Sequence, residues 1–234
     1  MHLDVIHMAV ALAYGEGRLT IDPPGSVDVI EPHDPPRIGN PLAELRRTLQ
    51  QPIESPPLRT LAQGKESVVI VMSDSTRPAP NKLMLEAVLP ELGPDAEDRV
   101  EILIATGLHR ATREDELERM LGADLRKRLR IINHDARDPT CLRDIGTTSS
   151  GRPVIVNQRY LDADIRITLG LIEPHFFAGF SGGPKLVMPG IAGEHSILNN
   201  HDFAMISHPN ARWGTLTGNP VHQEQLEAEF FHFK

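Results

Sequence analysis

The residues best equipped for chemistry fall between positions 74 and 201 of this 234-residue chain. His109 and His175 each follow a β-like run, and an imidazole in such a place can take or give a proton near neutral pH. Lys185 closes the segment SGGPK, in which Gly182 and Gly183 would let backbone N–H groups approach an anion while the ammonium adds charge. That is the chemistry of a phosphate-bearing ligand, although the spacing is not that of a Walker loop. His201, after Asn199 and Asn200, is a solitary candidate metal ligand. With no HExxH or cysteine spacing beside it, a metal there would need donors from elsewhere. Ser181, inside GFSGG, offers the serine-hydrolase alternative. A nucleophile elbow needs a strand directly before it and a helix directly after it, and Pro174, Pro184 and Pro189 argue against both.

These residues need elements to position them. Residues 172–201 are punctuated by Gly179, Gly182, Gly183, Pro184, Pro189, Gly190 and Gly193, so neither helical nor strand periodicity fits through them. Phe176, Phe177, Phe180, Leu186, Val187 and Ile191 add apolar weight, which predicts an ordered, partly buried loop. Upstream, SVVIVMSD at 67–74 is a β-branched run suited to a strand buried on both faces. RVEILIATG at 99–107, LRIINHD at 129–135 and ADIRITLG at 163–170 read as further strands. Helical patterns fall at 41–50, 81–92 and 112–121, the last with Thr112 and Asp115 as its cap and Gly122 as its stop.

The alternation predicts an α/β fold, Rossmann-like and doubly wound, with a mainly parallel sheet. Residues 1–60 form an irregular, β-containing lead-in packed on a main domain of 61–234. Each strand runs into a polar cluster: SDSTRP after the first, TGLHR after the second, NHD after the third and the 172–201 loop after the fourth. Ligands of open α/β sheets bind beyond the carboxyl ends of the strands, so the four clusters are expected to converge on one crevice.

A net charge of −8 argues against a nucleic-acid partner. The basic run Arg126, Lys127, Arg128 and Arg130 follows Glu114, Asp115, Glu116 and Glu118 and reads as a solvated helix face. Cys141 is the one cysteine, which excludes an internal disulfide and cysteine-rich zinc sites. No apolar run is long enough to span a bilayer, and MHLDVIHMAV lacks the charge pattern of a signal peptide. A cytoplasmic location without membrane partners is expected.

Taken together, SDSTRPAPN at 73–81, TGLHRATREDEL at 106–117, NHDARD at 133–138 and EPHFFAGFSGGPKLVMPGIAG through NNH resemble the N-terminal domain of nickel-dependent lactate racemases. The resemblance runs from about residue 20 to residue 225. It implies a nickel-pincer nucleotide, a pyridinium mononucleotide whose thio-acyl arms and ring carbon hold nickel. Lys185 would be its covalent anchor, His201 the protein ligand to nickel, and Asp74, Arg77, Gly182 and Gly183 would line its pocket. His109 and His175 would be the paired acid/base residues, each with a near-neutral pKa, in racemisation of a 2-hydroxy acid by hydride transfer. Cofactor-biosynthesis proteins would be partners. The family continues into a second domain that these 234 residues do not include, so a cofactor- or phosphate-binding module without turnover is the competing expectation.

Overall fold

The computed structural model describes residues 9–15, 17–25, 27–31 and 35–230. Residues 1–8, on which the reading of the N-terminus rests, lie outside them. The chain divides into two compact units, Met1–Gly39 and Asn40–Lys234. In the first, β1 (Val10–Tyr14) and β2 (Gly17–Ile21) form an antiparallel hairpin that sets Val10 opposite Ile21 and Leu12 opposite Leu19. This is the β-containing lead-in.

The second unit begins with α1 (Pro41–Gln50), whose Asn40 cap accepts a hydrogen bond from the Ala43 N–H at 3.1 Å. The short α2 (Leu58–Leu61) follows. Three strands come next, β3 (Val68–Ser73), β4 (Val100–Ala105) and β5 (Arg130–Asn133). An antiparallel pair, β6 (Leu142–Thr147) and β7 (Pro153–Asn157), precedes the fourth sheet strand, β8 (Ile165–Leu169). The central sheet is parallel throughout, in the order β5-β4-β3-β8. Its crossovers are helical: α3 (Asn81–Glu91) and α4 (Ala96–Arg99), then α5 (Glu114–Leu121) and α6 (Ala123–Arg128), then α7 (Gln158–Asp162) before β8.

Strand alternation divides the core between the two faces of the sheet. Val68, Ile70 and Met72 of β3 pack with Leu85 and Val88 of α3 and Leu117 and Leu121 of α5. Val69 and Val71 point the other way, to Val154 and Val156 of β7, Tyr160 and Leu161 of α7, and Leu186. A strand buried on both sides must be apolar at successive positions, which is the pattern read at 67–74.

Three expectations are corrected. The helix over 112–121 starts at Glu114, and its first turn is closed by Glu116, which accepts from the Arg113 N–H at 2.9 Å. Thr112 instead bonds through its backbone to the Asn133 side chain, so neither it nor Asp115 forms the cap. Residues 172–201 are more regular than their glycines suggest. They hold a small hairpin of β9 (Pro174–His175) and β10 (Gly179–Phe180), a 3-10 turn over Gly183–Leu186, and α8 (Glu194–Asn200). The prolines and glycines fall within or between the short pieces, Pro174 in β9, Gly179 in β10 and Gly183 and Pro184 in the 3-10 turn, and none lies in α8, which is why the local pattern was masked. The third correction concerns His134, whose cluster does not reach the crevice and is described below.

The basic run behaves as a solvated face. Arg126 pairs with Glu114, Arg128 with Glu97 and Asp124, and Arg130 with Glu101. Gly122 ends α5 at φ +79°, a conformation that favours glycine. Among the described residues no helix is long and apolar enough to cross a membrane. The chain continues through α9 (Phe203–Ile206) to α10 (Pro220–Phe230).

Candidate active site

A cavity of about 330 Å³ opens at the carboxyl ends of β3, β4 and β8. Its wall includes Asp74 and Arg77 after β3, His109 after β4, and His175, Gly182, Lys185 and His201 from the 172–201 region. Of the predicted site residues, Gly183 alone does not line it; at φ +49° it turns the chain into the 3-10 segment that carries Lys185. Gly182 has φ +74°, and a Cβ there would lie 3.1 Å from the Leu171 carbonyl, so the segment packs closely on the chain leaving β8.

The loop after β3 is built around Asp74, which is only 5% exposed. One carboxylate oxygen accepts from the Thr76 N–H at 3.1 Å and from its hydroxyl at 2.5 Å. The other lies 2.7 Å from Nδ1 of His109. A carboxylate can only accept here, so it holds the His109 proton on Nδ1 and leaves Nε2 as the free nitrogen. His109 arrives at that position because the tight turn after β4 bonds its N–H to the Thr106 carbonyl at 2.9 Å. The turn is held in place by the Gly107 N–H, which donates to Gly190 at 2.9 Å. Arg77 stands 3.7 Å from Glu173.

The opposite wall is more buried. His175 Nδ1 accepts from the Ala178 N–H at 3.3 Å, which leaves the proton of a neutral ring on Nε2. Burial, with the charges of Lys185, Arg77 and His201 adding to it, pushes the His175 pKa down to about 4. The near-neutral value expected for this residue is therefore not found in the cofactor-free chain. Burial likewise lowers His201 to about 4, Lys185 contributing, while the Ile197 carbonyl offsets part of the effect. Lys185 itself is lowered to about 8 by burial and by the Arg77 charge, with Asp74 acting against it. Apart from the Ile197 carbonyl that acts on the ring, His201 Nδ1 is buried without a hydrogen-bond partner among the described residues.

Two residues that sequence reasoning passed over organise the two walls, one on each. The Phe177 ring meets the His175 ring edge-on at 4.7 Å and the His201 ring edge-on at 4.9 Å. Thr76, two positions after Asp74, fixes the carboxylate; an Asp-x-Thr spacing directly after a strand was the available signal. Beside the more buried wall, Phe176, the neighbour of His175, and Trp213, 72% and 59% exposed, lie with ring centroids 5.4 Å apart.

His134 of the NHD cluster and the alternative nucleophile Ser181 have structural employment instead. His134 is buried, with Nε2 donating to the Ala192 carbonyl at 2.8 Å and Nδ1 accepting from Asn157 at 3.0 Å. It braces the 189–192 segment, so three strand-end clusters converge rather than four. Ser181 donates to the Leu171 carbonyl at 2.5 Å and accepts from the Glu173 N–H at 3.0 Å. A two-residue strand precedes it and a 3-10 turn follows it, so the elbow geometry of a serine hydrolase is missing.

With this geometry in hand, the comparison with known proteins is direct. The family model described as the lactate racemase N-terminal domain matches residues 14–214. The chain belongs to the lactate racemase N-terminal domain family. This family member is 42% identical over 185 residues to a lactate racemase of Thermoanaerobacterium thermosaccharolyticum, and 40% identical over 185 residues to one of Lactiplantibacillus plantarum. Each alignment covers 79% of this chain but only 43% and 44% of the respective relatives, so the chain spans less than half of their length. Its fold superimposes on the lactate racemase apoprotein structure from T. thermosaccharolyticum with a TM-score of 0.83 at 36% identity, covering 96% of this chain and 54% of that one. A Thermotoga maritima structure matches with a TM-score of 0.65 at 25% identity, covering 82% of this chain and 48% of that one.

Proposed function

We propose that this lactate racemase N-terminal domain binds a nickel-pincer nucleotide through Lys185 and His201. Alone, or with the further domain that the resemblance implies, it racemises a small 2-hydroxy acid such as lactate. The observation that carries the reading is the meeting, in one cavity, of a half-buried amine, an imidazole with a buried Nδ1 and two further histidines. Burial holds the Lys185 amine closer to its neutral, nucleophilic form than a surface lysine. That suits a covalent link to a thio-acyl arm. Among the described residues no group of three metal-ligating side chains stands together, so His201 would add one donor to a nickel held otherwise by the cofactor.

When bound, the nickel-pincer nucleotide supplies a hydride acceptor and donor. The chain's own residues handle the proton and the orientation. His109, with its Nδ1 proton held by Asp74, can take the substrate hydroxyl proton at Nε2, and the carboxylate stabilises the imidazolium that results. His175, neutral and with its proton on Nε2, can donate a hydrogen bond to the substrate oxygen. Acylation of Lys185 would remove one of the charges that depress His175, moving it back toward the range in which it exchanges protons. Arg77 is placed to hold a carboxylate or a phosphate against the same wall.

The parallel sheet, with crossovers on both faces and β8 on the far side of β3, supports the finer reading of a doubly wound, Rossmann-like fold. Cofactor-biosynthesis proteins are the expected partners, and a cytoplasmic setting is in keeping with a chain that has a single cysteine.

The test is coexpression with cofactor-making enzymes, followed by intact-mass measurement and a chiral assay of lactate. A mass increment that maps to Lys185, lost in Lys185→Ala, together with racemisation, is the expected result. The same increment without racemisation would leave a cofactor-holding module, and an unmodified Lys185 in nickel-replete protein would remove the cofactor assignment.

A further inference from the structure

Asn219 is wholly buried, at 0% exposure, and lies outside the cavity wall. Its side chain nevertheless fills all four of its hydrogen-bonding capacities. Nδ2 donates to the Phe177 carbonyl and to the Thr215 carbonyl, each at 2.9 Å. Oδ1 accepts from the Val221 N–H at 3.0 Å and the His222 N–H at 3.4 Å, closing the first turn of α10. One amide thus ties the helix start to the residue whose ring stands between His175 and His201.

The same tie is reinforced by packing. Gly179 has φ +80°, and a Cβ on it would lie 2.5 Å from the Thr215 carbonyl oxygen. The Gly214 N–H donates to the Gly179 carbonyl at 2.9 Å. Phe177 also packs against Ala178, Met205 and Val221. The hairpin carrying His175 is therefore seated on residues 214–221 through backbone contact, with Asn219 at the centre of the seat.

We propose that Asn219 is a positioning residue, which fixes the Phe177 ring edge-on between His175 and His201 and so sets the orientation of both imidazoles. Its catalytic consequence rests on the function proposed above; its effect on ring geometry does not. Substitution separates the two jobs of the amide. Asn219→Ser keeps an acceptor for the α10 cap, since serine caps about as well as asparagine, but is too short to reach the Phe177 carbonyl. Asn219→Ala loses cap and tether together, and Phe177→Leu keeps apolar bulk without a ring edge.

The experiment is imidazole NMR of the histidine-labelled domain, with His175 and His201 assigned by His175→Gln and His201→Gln, recorded at pH 6, between the two ring values of about 4 and the Lys185 value of about 8, so that titration does not intervene. Asn219→Ser, which keeps the cap, should lower the thermal midpoint less than Asn219→Ala while shifting the ring resonances of His175 and His201 in the direction produced by Phe177→Leu. Asn219→Ala should shift them as well and lower the midpoint. In cofactor-loaded protein, Asn219→Ser should lower kcat on the order of 10- to 100-fold, the range expected for misplaced groups, with the mass increment at position 185 retained. Ring resonances unmoved in Asn219→Ser would overturn the proposal. If the parent itself does not racemise lactate, the function reading fails while the ring measurement still decides the role of Asn219.

Discussion

Asp74 gives one carboxylate oxygen to His109 and the other to Thr76, whereas across the cavity Lys185, His175 and His201 are basic groups whose charged forms burial disfavours. The first wall is finished by the chain itself: its polar atoms are matched, and its histidine is exposed at 58% of the side chain yet oriented. The second holds an amine away from its usual charge and an imidazole nitrogen without a partner. A buried polar group left unmatched costs about 1–3 kcal/mol, so a fold that keeps one does so against its own stability. On the function proposed above, the contrast separates a wall that would orient a proton-transfer group from a wall that would receive a cofactor covalently and by coordination.

The largest effect should come from removing either histidine proposed to move a proton. His109→Ala and His175→Ala should each lower racemisation in loaded protein by about 10²- to 10⁴-fold, with the mass increment at Lys185 retained. Equal losses would mean that both walls serve the same step; a loss confined to one would break the comparison. Asp74→Asn comes next. It keeps the Thr76 contacts through an oxygen but presents an NH₂ or the wrong acceptor geometry to His109, and a drop on the order of 10²-fold is expected, with imidazole NMR reporting a changed His109 tautomer.

The buried wall should yield stability rather than activity. Lys185 is lowered from 10.5 to about 8, so its ammonium is penalised in the folded state. That penalty is complete below pH 8 and fades as pH rises from 8 to 10.5. Lys185→Met should therefore stabilise the cofactor-free domain at pH 7 by roughly 2–3 kcal/mol, and by much less at pH 10, as read by denaturant unfolding. An unchanged or lower stability at pH 7 would show that the amine is not held against its charge. The smallest effect is at acid pH. With a folded value of about 4 against 6.5, neutral His201 favours the fold above pH 6.5, and that advantage is lost as pH falls through 4. His201→Gln should flatten the loss of stability between pH 7 and pH 5 by roughly 1–2 kcal/mol.

How much of this could be read beforehand follows from where the information is local. β3 and β4 were legible because central strands buried on both faces must be apolar at successive positions, and the partly buried edge strands β5 and β8 because each carries its own short isoleucine-containing run. The β6–β7 pair was missed because Leu142–Thr147 is a largely exposed strand of mixed polarity, LRDIGT, whose partner rather than its own pattern makes it a strand. His109, His175, Lys185 and His201 could be singled out by residue type and by their position after strands. Their electrostatics could not, since the depression of Lys185 and His175 depends on burial and on Arg77, 108 positions before Lys185 in the chain when 77 is taken from 185. His134 misled for the same reason: it too follows a strand, and only the Ala192 carbonyl and Asn157 reveal that its nitrogens are already spoken for.

The chain has a single tryptophan, and it stands against Phe176, the neighbour of His175. The indole is therefore a built-in optical probe. Its emission comes from one place only, 5.4 Å from a ring on the hairpin that carries His175. Any ligand that displaces that hairpin changes the surroundings of a lone fluorophore, so loading at the cavity can be followed in unlabelled protein, in real time and without a catalytic readout.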